Sequence, residues 1–419
     1  MKTFRLLLFS LLPFFLLFVG ILPSAAQDEA GFFTVSGTVR DGGSRRPMAN
    51  VSVSVPGSPV GTISNADGTF SLKIRHDQPV REVEFSHVGY LRHLLPVSGD
   101  DQSGLVVDLT QRGILLREID VHNRDAQQLV EDALSRVGSN YSDKNALLTG
   151  FYRETVQKRL QYIDISEAVV EVYATPYTRN VLGENVRLVK GRRLVSPRTA
   201  DTLSVVLQGG PNTYVFANIV KNPDFLLNPR NLHFYRFSIE DVVLIDERLH
   251  DVVGFTPRVE LPDESLFIGK LFIDRETLTI SRAEFGMDMS DQEKVIRTIL
   301  RKKPASLRFY PDEVSFVLSY RERDGRSYLN YIGNTMRFRC DWRRRFFRTH
   351  YTVTSEMVIT DAEDEDVARI PYRESFRENQ ALSEKVGDFY DPDFWEAYNI
   401  IEPTESLESA VDRIRKRME

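Results

Sequence analysis

Cysteine and histidine are scarce in this chain. Its 419 residues include one cysteine, Cys340, and seven histidines. A single thiol cannot form an internal disulfide, so stability must come from a hydrophobic core, which a chain of this length can build. No histidine is followed by glutamate three residues later, and none has the spacing of a zinc-protease helix. The sequence therefore argues against a zinc peptidase.

An excess of basic charge is also absent. Lysine and arginine number 54 against 60 acidic residues, for a net charge of −6. Nucleic-acid binders normally carry basic patches on a basic background, so no nucleic-acid partner is predicted. The nucleophile elbow, the phosphate-binding loop and the dinucleotide fingerprint are missing as well. We therefore predict a protein that is not an enzyme, with no cofactor and no metal.

Long apolar runs are confined to the start of the chain, at residues 6–22. This run is preceded by basic residues and followed by small residues at 24–26, the pattern of a secretory signal peptide. An uncleaved anchor is the alternative, but Pro13 and the short apolar core argue against it. We predict a signal peptide over residues 1–26, export, and no transmembrane helix after cleavage.

Short alternating segments separated by Gly, Pro, Asn and Asp follow the signal peptide. Regular spacing of this kind is typical of a β-sandwich. Asp67-Gly68 is a turn signal, because glycine adopts positive φ without steric cost. A seven- or eight-stranded sandwich is predicted over residues 32–121. Its predicted strands cover residues 34–40, 50–55, 59–64, 68–74, 81–87, 90–96, 104–109 and 114–121.

Several motifs of this region resemble the carboxypeptidase-regulatory-like domain, a small transthyretin-like sandwich. They are Gly-Thr-Val-Arg-Asp at 37–41, Pro47 with Val-Ser-Val at 51–53, Gly-Thr at 61–62, Asp-Gly-Thr-Phe at 67–70 and Ser-His-Val-Gly-Tyr at 86–90. The resemblance implies an accessory or docking module in exported proteins of Gram-negative bacteria. It implies a location in the periplasm, peripheral to the outer membrane, and an envelope protein as partner.

The remaining chain, residues 124–400, predicts a larger antiparallel sheet with a few helices. Helical spacing indicates helices at 124–137, 200–208 and 212–227. Alternation of Met336, Phe338 and Cys340 with charged residues indicates a sheet that has one buried face. A polar helical tail is predicted over residues 401–419. The predicted strands cover residues 148–156, 163–173, 234–239, 242–246, 251–257, 266–274, 278–288, 313–320, 328–342 and 346–359.

Residues 269–285 resemble the meander hairpin of outer-membrane lipoprotein-carrier-like proteins. That resemblance implies a curved sheet, or half-barrel, over an apolar cavity plugged by helices. An apolar or lipid ligand is therefore expected. The overall fold class is mainly β with some α.

The predicted helix 212–227 supplies candidates for a lid over that cavity: Tyr214, Phe216, Phe225 and Leu226. The alternative is that these side chains belong to the core. Arg343, Arg344, Arg345 and Arg348 are candidates for binding an anion such as a lipid phosphate; a solvated strand face is the alternative.

Two clusters of acidic residues are explained more simply by structural roles than by a metal site or a catalytic site. The run at residues 361–366 would suit calcium, but the spacing of an EF-hand is missing, so a flexible charged loop is the preferred explanation. Glu154, Glu167 and Glu171 would suit an acid–base pair, whereas salt bridges with Arg153 on neighbouring strands are the simpler account. The sequence thus predicts an exported binding or scaffold protein, with an envelope glycan-acting enzyme as the alternative.

Overall fold

The computed structural model describes residues 31–112, 125–197, 206–207, 210–342, 348–377, 380, 382, 385–386 and 394–418. The predicted signal peptide and the predicted strand 114–121 lie outside the described residues. Within the described part, no helix combines the length and the apolar character needed to cross a membrane.

A β-sandwich forms the N-terminal unit, as predicted. Its two sheets have the strand orders β4-β1-β7 and β3-β2-β5-β6. Val35, Val53, Leu72 and Phe85 from both sheets are fully buried between them. The strands are β1 Phe32–Asp41, β2 Ser52–Ser54, β3 Gly61–Ile63, β4 Thr69–Arg75, β5 Glu82–Ser86, β6 His93–Pro96 and β7 Gln102–Leu109.

The turn before β4 is fixed by its own side chains. Asn65 Oδ1 accepts hydrogen bonds from the backbone N–H groups of Asp67, at 2.9 Å, and Thr69, at 3.0 Å. Gly68 has a φ of +75°, and a Cβ there would lie 2.5 Å from the carbonyl oxygen of Val39. Only glycine therefore suits this position.

A curved, open, ten-stranded antiparallel sheet forms the second unit. Its order is β10-β9-β8-β19-β18-β17-β15-β14-β13-β12, so pairing of β19 with β8 joins two meanders. Short strands β11 Val206–Leu207 and β16 Leu300–Lys302 pair separately. The long strands are β8 Ala146–Lys158, β9 Gln161–Ala174, β10 Asn185–Val195, β12 Tyr235–Ile245, β13 Arg248–Pro257, β14 Phe267–Asp274, β15 Ile280–Met287, β17 Leu307–Arg323, β18 Arg326–Trp342 and β19 Thr349–Glu363.

Among the described residues, five α-helices accompany the sheet, and two helix predictions need correction. The predicted helix 212–227 is only the four-residue helix α3 followed by a 3-10 turn at Pro223–Phe225. Asn222 Nδ2 donates to the carbonyl of Phe216 at 2.7 Å, which turns the chain before Pro223. Within predicted helix 200–208, Val206–Leu207 form strand β11 and the other residues lie outside the described part. The helices are α1 Ala126–Ser135, α2 Val137–Asn140, α3 Thr213–Phe216, α4 Gln292–Ile299 and α5 Glu405–Met418.

The two faces of the large sheet are covered by different parts of the chain. On the helix face, strand residues such as Tyr152 and Phe338 pack against α1, α4 and the segment 210–234. On the sandwich face, Phe151 and neighbouring residues pack against Ile63 of the sandwich and against residues 394–401. The predicted alternation of Met336, Phe338 and Cys340 is confirmed, because all three are buried on the helix face.

Candidate functional site

Two cavities open on the helix face, one on each side of the segment 212–227. The first, here called the apolar groove, has a volume of about 470 Å³ and lies between this segment, α4 and strands β14 to β18. The second, here called the tyrosine pocket, has a volume of about 270 Å³ and lies by the β17–β18 turn.

Aromatic, methionine and branched aliphatic side chains form the walls of the apolar groove. They come from strands that alternate in hydrophobicity and from the buried side of α4, whose N-terminus is capped by Asp291. The sequence analysis did not predict α4, although Asp291 before an amphipathic stretch is a helix-start signal. The apolar lining residues are Phe216, Ala217, Phe225, Phe267, Met287, Ile299, Val314, Phe316 and Met336.

Phe225 anchors one wall of this groove. Its ring lies 5.3 Å from that of Phe267 and 5.6 Å from that of Phe316, both on the sheet. Aromatic pairs at such distances contribute about 0.5–1.5 kcal/mol beyond their buried area. The wall is therefore held to the sheet by aromatic packing.

Polar groups also line the groove. Asn212 Nδ2 donates to the carbonyl of Phe376 at 3.0 Å, and Asn334 Nδ2 donates to that of Ser315 at 3.1 Å. Asp224 accepts from Asn228 Nδ2 at 2.7 Å. Exposed Arg301 adds a cation. The groove thus combines an apolar lining with hydrogen-bonding groups.

The four predicted lid residues do not act as one unit. Phe216 and Phe225 line the apolar groove, whereas Tyr214 lines the tyrosine pocket. The hydroxyl of Tyr214 donates to the carbonyl of Leu329. Leu226 is 5% exposed and belongs to the core. The segment is therefore a partition between two cavities.

A buried ion pair lies at the inner end of the tyrosine pocket. Lys221 Nζ is 2.6 Å from Glu184 Oε1, and both side chains are almost fully buried. Burial raises the pKa of Glu184 and lowers the pKa of Lys221, and the contact between them opposes both shifts. Thr175 also contacts the ammonium group of Lys221, since its Oγ1 accepts a hydrogen bond from Lys221 Nζ at 2.9 Å.

A hydrogen-bond network connects the tyrosines around this pocket. Tyr177 OH accepts from the backbone N–H of Leu329, at 2.8 Å, and from Asn218 Nδ2, at 3.1 Å. Tyr320 OH donates to Asn218 Oδ1 at 2.9 Å. Burial raises the pKa of Tyr177, so its hydroxyl stays protonated.

Of the four predicted anion-binding arginines, only Arg348 lies among the described residues. Arg343, Arg344 and Arg345 lie outside the described residues. The Cζ atom of Arg348 lies 5.0 Å from the centre of the Tyr310 ring, and Arg348 Nε is 4.0 Å from Asp341 Oδ2. In the described part of the chain, Arg348 thus has an aromatic and an acidic neighbour.

Ion pairs account for part of the acidic residues. Arg153 Nε is 2.7 Å from Glu167, as predicted, whereas Glu171 pairs with Arg187 Nε at 2.5 Å. Glu154 instead accepts a hydrogen bond from Tyr152 OH at 2.9 Å, and burial raises its pKa. In the run 361–366, Asp364 is 3.2 Å from Arg323. Among the described residues, no group of three or more potential ligands could hold a metal ion.

A third region, missed by the sequence analysis, joins the two units. Thr62 Oγ1 donates to the carbonyl of Ile400 at 2.8 Å, and Asn65 Nδ2 donates to that of Pro403 at 2.9 Å. Arg321 of β17 donates to the carbonyl of Ser58. These contacts join residues more than 250 positions apart in the sequence, so no local sequence pattern predicts them.

The β-sandwich is the part of the chain that matches a known domain family. Residues 35–121 match the CarboxypepD_reg-like domain. The predicted resemblance is thereby confirmed for this part of the chain, which is well under half of its length. No curated protein matches the chain.

Solved structures similar to the chain include three bacterial proteins. A DUF1329 family protein from Desulfovibrio piger is 11% identical, with 58% of this chain and 95% of the other covered and a TM-score of 0.25. A putative outer-membrane lipoprotein-sorting protein domain from Vibrio parahaemolyticus is 10% identical, with 58% and 93% covered and a TM-score of 0.27. A LolA superfamily protein from Nitrosomonas europaea is 12% identical, with 58% and 96% covered and a TM-score of 0.23. None of these likenesses assigns a ligand or a partner to this chain.

Proposed function

We propose that the protein is an exported binding protein that holds the acyl chain of an amphipathic lipid in the apolar groove. The observation that carries this proposal is the groove itself, about 470 Å³ in volume and lined by phenylalanine, methionine, valine and isoleucine side chains. Ligand sites are commonly concave, mostly apolar and 300–1,000 Å³ in volume, with a few polar groups that fix orientation. The groove has these properties.

The hydrophobic effect supplies the affinity in this proposal. Each buried methylene contributes about 0.8 kcal/mol. Ten such groups would contribute about 8 kcal/mol, against an association cost of about 4 kcal/mol or more. The polar head then lies near Asn212, Asp224 and Arg301, where hydrogen bonds are available.

The signal peptide predicted for residues 1–26 and the family match of residues 35–121 support a periplasmic location, peripheral to the outer membrane. Docking of the sandwich to an envelope protein stays a prediction. In the structure, the sandwich uses one side to contact its own second unit.

A glycan-acting enzyme is less well supported. Glycosidases need two carboxyl groups that face the scissile bond. In the tyrosine pocket, Glu184 is paired with Lys221, and Asp364 with Arg323. Asp143 is 3.2 Å from Arg326. These pairings favour structural roles for the carboxylates.

Lipid extraction and mass spectrometry of the purified mature protein test the proposal, together with displacement of a fluorescent fatty acid. Thr298→Trp places a large side chain at the groove from an exposed position of α4, so the fold should tolerate it. Thr298→Trp should lower fatty-acid affinity about tenfold or more. Thr110→Trp, at an exposed position of the sandwich, is the matched control. Fatty-acid binding that is absent in the folded wild-type protein, or equal in both variants, would overturn the proposal.

A further inference from the structure

One rim of the apolar groove is strongly basic. Residues 294–303, here called the basic rim, contain five basic residues and no acidic one, in a chain whose net charge is −6. They form most of α4, strand β16 and the residue after it, and Thr298, Ile299 and Arg301 among them line the groove. The groove lining itself has one acidic residue, Asp224, against Arg301. The excess positive charge therefore lies on the rim, directly beside the site proposed for the acyl chain.

The cations of the basic rim are mostly without acidic partners. Lys294 lies 3.4 Å from Asp291. Arg297, Arg301 and Lys302 are exposed and form no ion pair with any residue that the structure describes. Like charges at neighbouring positions repel one another, so an anionic surface would lower the electrostatic energy of this segment.

Strand register brings further cations to the same end of the large sheet. β17 begins shortly after the basic rim, and its first residue, Leu307, lies opposite Trp342 at the end of β18. β19 also starts at this end, and the carbonyl of its His350 accepts a hydrogen bond from the N–H of Arg159, in the β8–β9 turn, at 3.1 Å. Exposed Arg159 and Arg348 thus lie at the same end of the sheet as the basic rim.

The sandwich contacts the opposite end of the sheet. Arg321, near the end of β17, donates to the carbonyl of Ser58. Asp246, in the β12–β13 turn, accepts from the hydroxyl of Ser86. These contacts leave the basic rim at the end of the sheet that points away from the sandwich.

We propose that the basic rim docks this end of the sheet on the anionic surface of a lipid bilayer, so that the mouth of the apolar groove faces the membrane. The inference rests on the proposed function, because a bilayer supplies or receives the lipid held in the groove. Polybasic segments are attracted to anionic lipids, and each Lys or Arg near the surface strengthens binding about fivefold. Val295 and Ile299 are buried under α4 and hold it on the sheet, so the attraction is electrostatic and not an insertion of the helix.

Co-sedimentation of the purified mature protein with phosphatidylcholine vesicles, with and without phosphatidylglycerol, tests the inference. Binding should require phosphatidylglycerol and should be lost in 1 M salt, where the Debye length is about 3 Å. Arg297→Gln combined with Lys302→Gln should weaken binding about 20-fold. Both residues lie outside the groove lining, so fatty-acid displacement measured without vesicles should be unchanged. Arg46→Gln combined with Arg81→Gln removes the same charge from exposed positions of the sandwich and should bind vesicles as the wild type does.

A dye reports on the orientation of the docked protein. Ala305→Cys introduces a thiol at an exposed position beside the basic rim, whereas the native Cys340 is 2% exposed. An environment-sensitive dye on Ala305→Cys should shift to the blue when phosphatidylglycerol vesicles are added. The same dye on Thr110→Cys, at an exposed position of the sandwich, should not shift.

The inference is wrong if the folded wild-type protein does not prefer vesicles with phosphatidylglycerol, or if the two double variants lose affinity equally. It is also wrong if the dye on Ala305→Cys does not respond while the protein is bound. Absence of fatty-acid binding in a wild-type protein that still binds these vesicles selectively would contradict the proposed function instead, so the two failures are distinguishable.

Discussion

Asn399 pairs with the backbone of Lys73 through both ends of its side-chain amide. Its Oδ1 accepts from the N–H of Lys73 at 2.7 Å, and its Nδ2 donates to the carbonyl of Lys73 at 3.0 Å. The amide thereby imitates the pairing of a neighbouring β-strand along β4. This contact joins the sandwich to the C-terminal segment across 326 positions of sequence.

Asn399→Ala should destabilise the protein by about 1–3 kcal/mol, because it removes both of the side chain's hydrogen bonds to the Lys73 backbone in a partly buried site. Urea unfolding followed by tryptophan fluorescence measures the change, since Trp395 lies in the same segment. Gln128→Ala, at an exposed position of α1, is the control and should change stability by less than about 0.5 kcal/mol. Equal stability of the two variants would show that the Asn399 contact does not hold the units together.

Replacement of Arg153, a buried charged residue of the large sheet, should destabilise the protein strongly. Arg153 is 4% exposed, lies 2.7 Å from Glu167 and donates to the carbonyl of Ile401 at 2.7 Å. Although burial raises the pKa of Glu167, the guanidinium groups of Arg153 and Arg192 hold it below its ordinary value. Arg153→Met should cost about 3–5 kcal/mol, because it leaves a buried carboxylate with one partner fewer.

Arg187→Met provides the comparison for Arg153→Met. Arg187 is about one-third exposed and pairs with Glu171 at 2.5 Å. Exposed pairs contribute about 0–1 kcal/mol, so this variant should lose no more than that. Chemical denaturation at neutral pH checks both values, and similar losses in the two variants would contradict the assigned difference in burial.

The sequence predicted those elements whose hydrophobic pattern is local. Met336, Phe338 and Cys340 alternate with charged residues, and a strand with one buried face is the simplest structure that such a pattern permits. The turn at Gly68 was predictable for a similar reason, because the ability to adopt a positive φ depends on the residue type at that one position. The strands of the sandwich and of the large antiparallel sheet were therefore predictable from local pattern, whereas the curvature of that sheet was expected only from the family resemblance.

The segment 212–227 and the contacts between the units were not predictable in this way. Tyr214 and Phe225 are apolar at helical spacing, but their side chains line different cavities, and helix α3 ends at Phe216, before a separate 3-10 turn begins at Pro223. When an apolar segment is buried on several sides, its hydrophobic residues show no clear period. The sequence pattern then cannot distinguish a helix from a folded loop. Asn399 has no local signal at all, because its partner lies in a distant part of the chain.

Asp361 should make stability fall as pH rises. Burial raises its pKa above the ordinary value of 3.8, although its hydrogen bond from the N–H of Ala362, at 2.8 Å, opposes that shift. The folded protein therefore holds the proton more tightly than the unfolded chain does, and ionisation of Asp361 destabilises the fold as pH rises through the folded pKa. Asp361→Asn should thus be more stable than the wild type at pH 7.

The advantage of Asp361→Asn should disappear below pH 3.8, where the carboxyl is protonated in both states. Thermal unfolding from pH 3 to pH 8 measures this difference. Asp324→Asn, at a side chain that is 85% exposed, is the control and should show no comparable pH-dependent gain. A wild type that is more stable than Asp361→Asn at pH 7 would contradict the prediction.

Cys340 should be unreactive in the folded protein. Its thiol is 2% exposed on the helix face, and burial raises its pKa to about 12, so thiolate is scarce at neutral pH. Because the thiolate is the reacting species, a thiol reagent such as dithionitrobenzoate should label the native protein only through unfolding. Cys340 is the only cysteine, so labelling in urea should reach one thiol per chain and follow the fluorescence unfolding curve. Rapid labelling of the native protein without loss of structure would mean that β18 opens locally at this position.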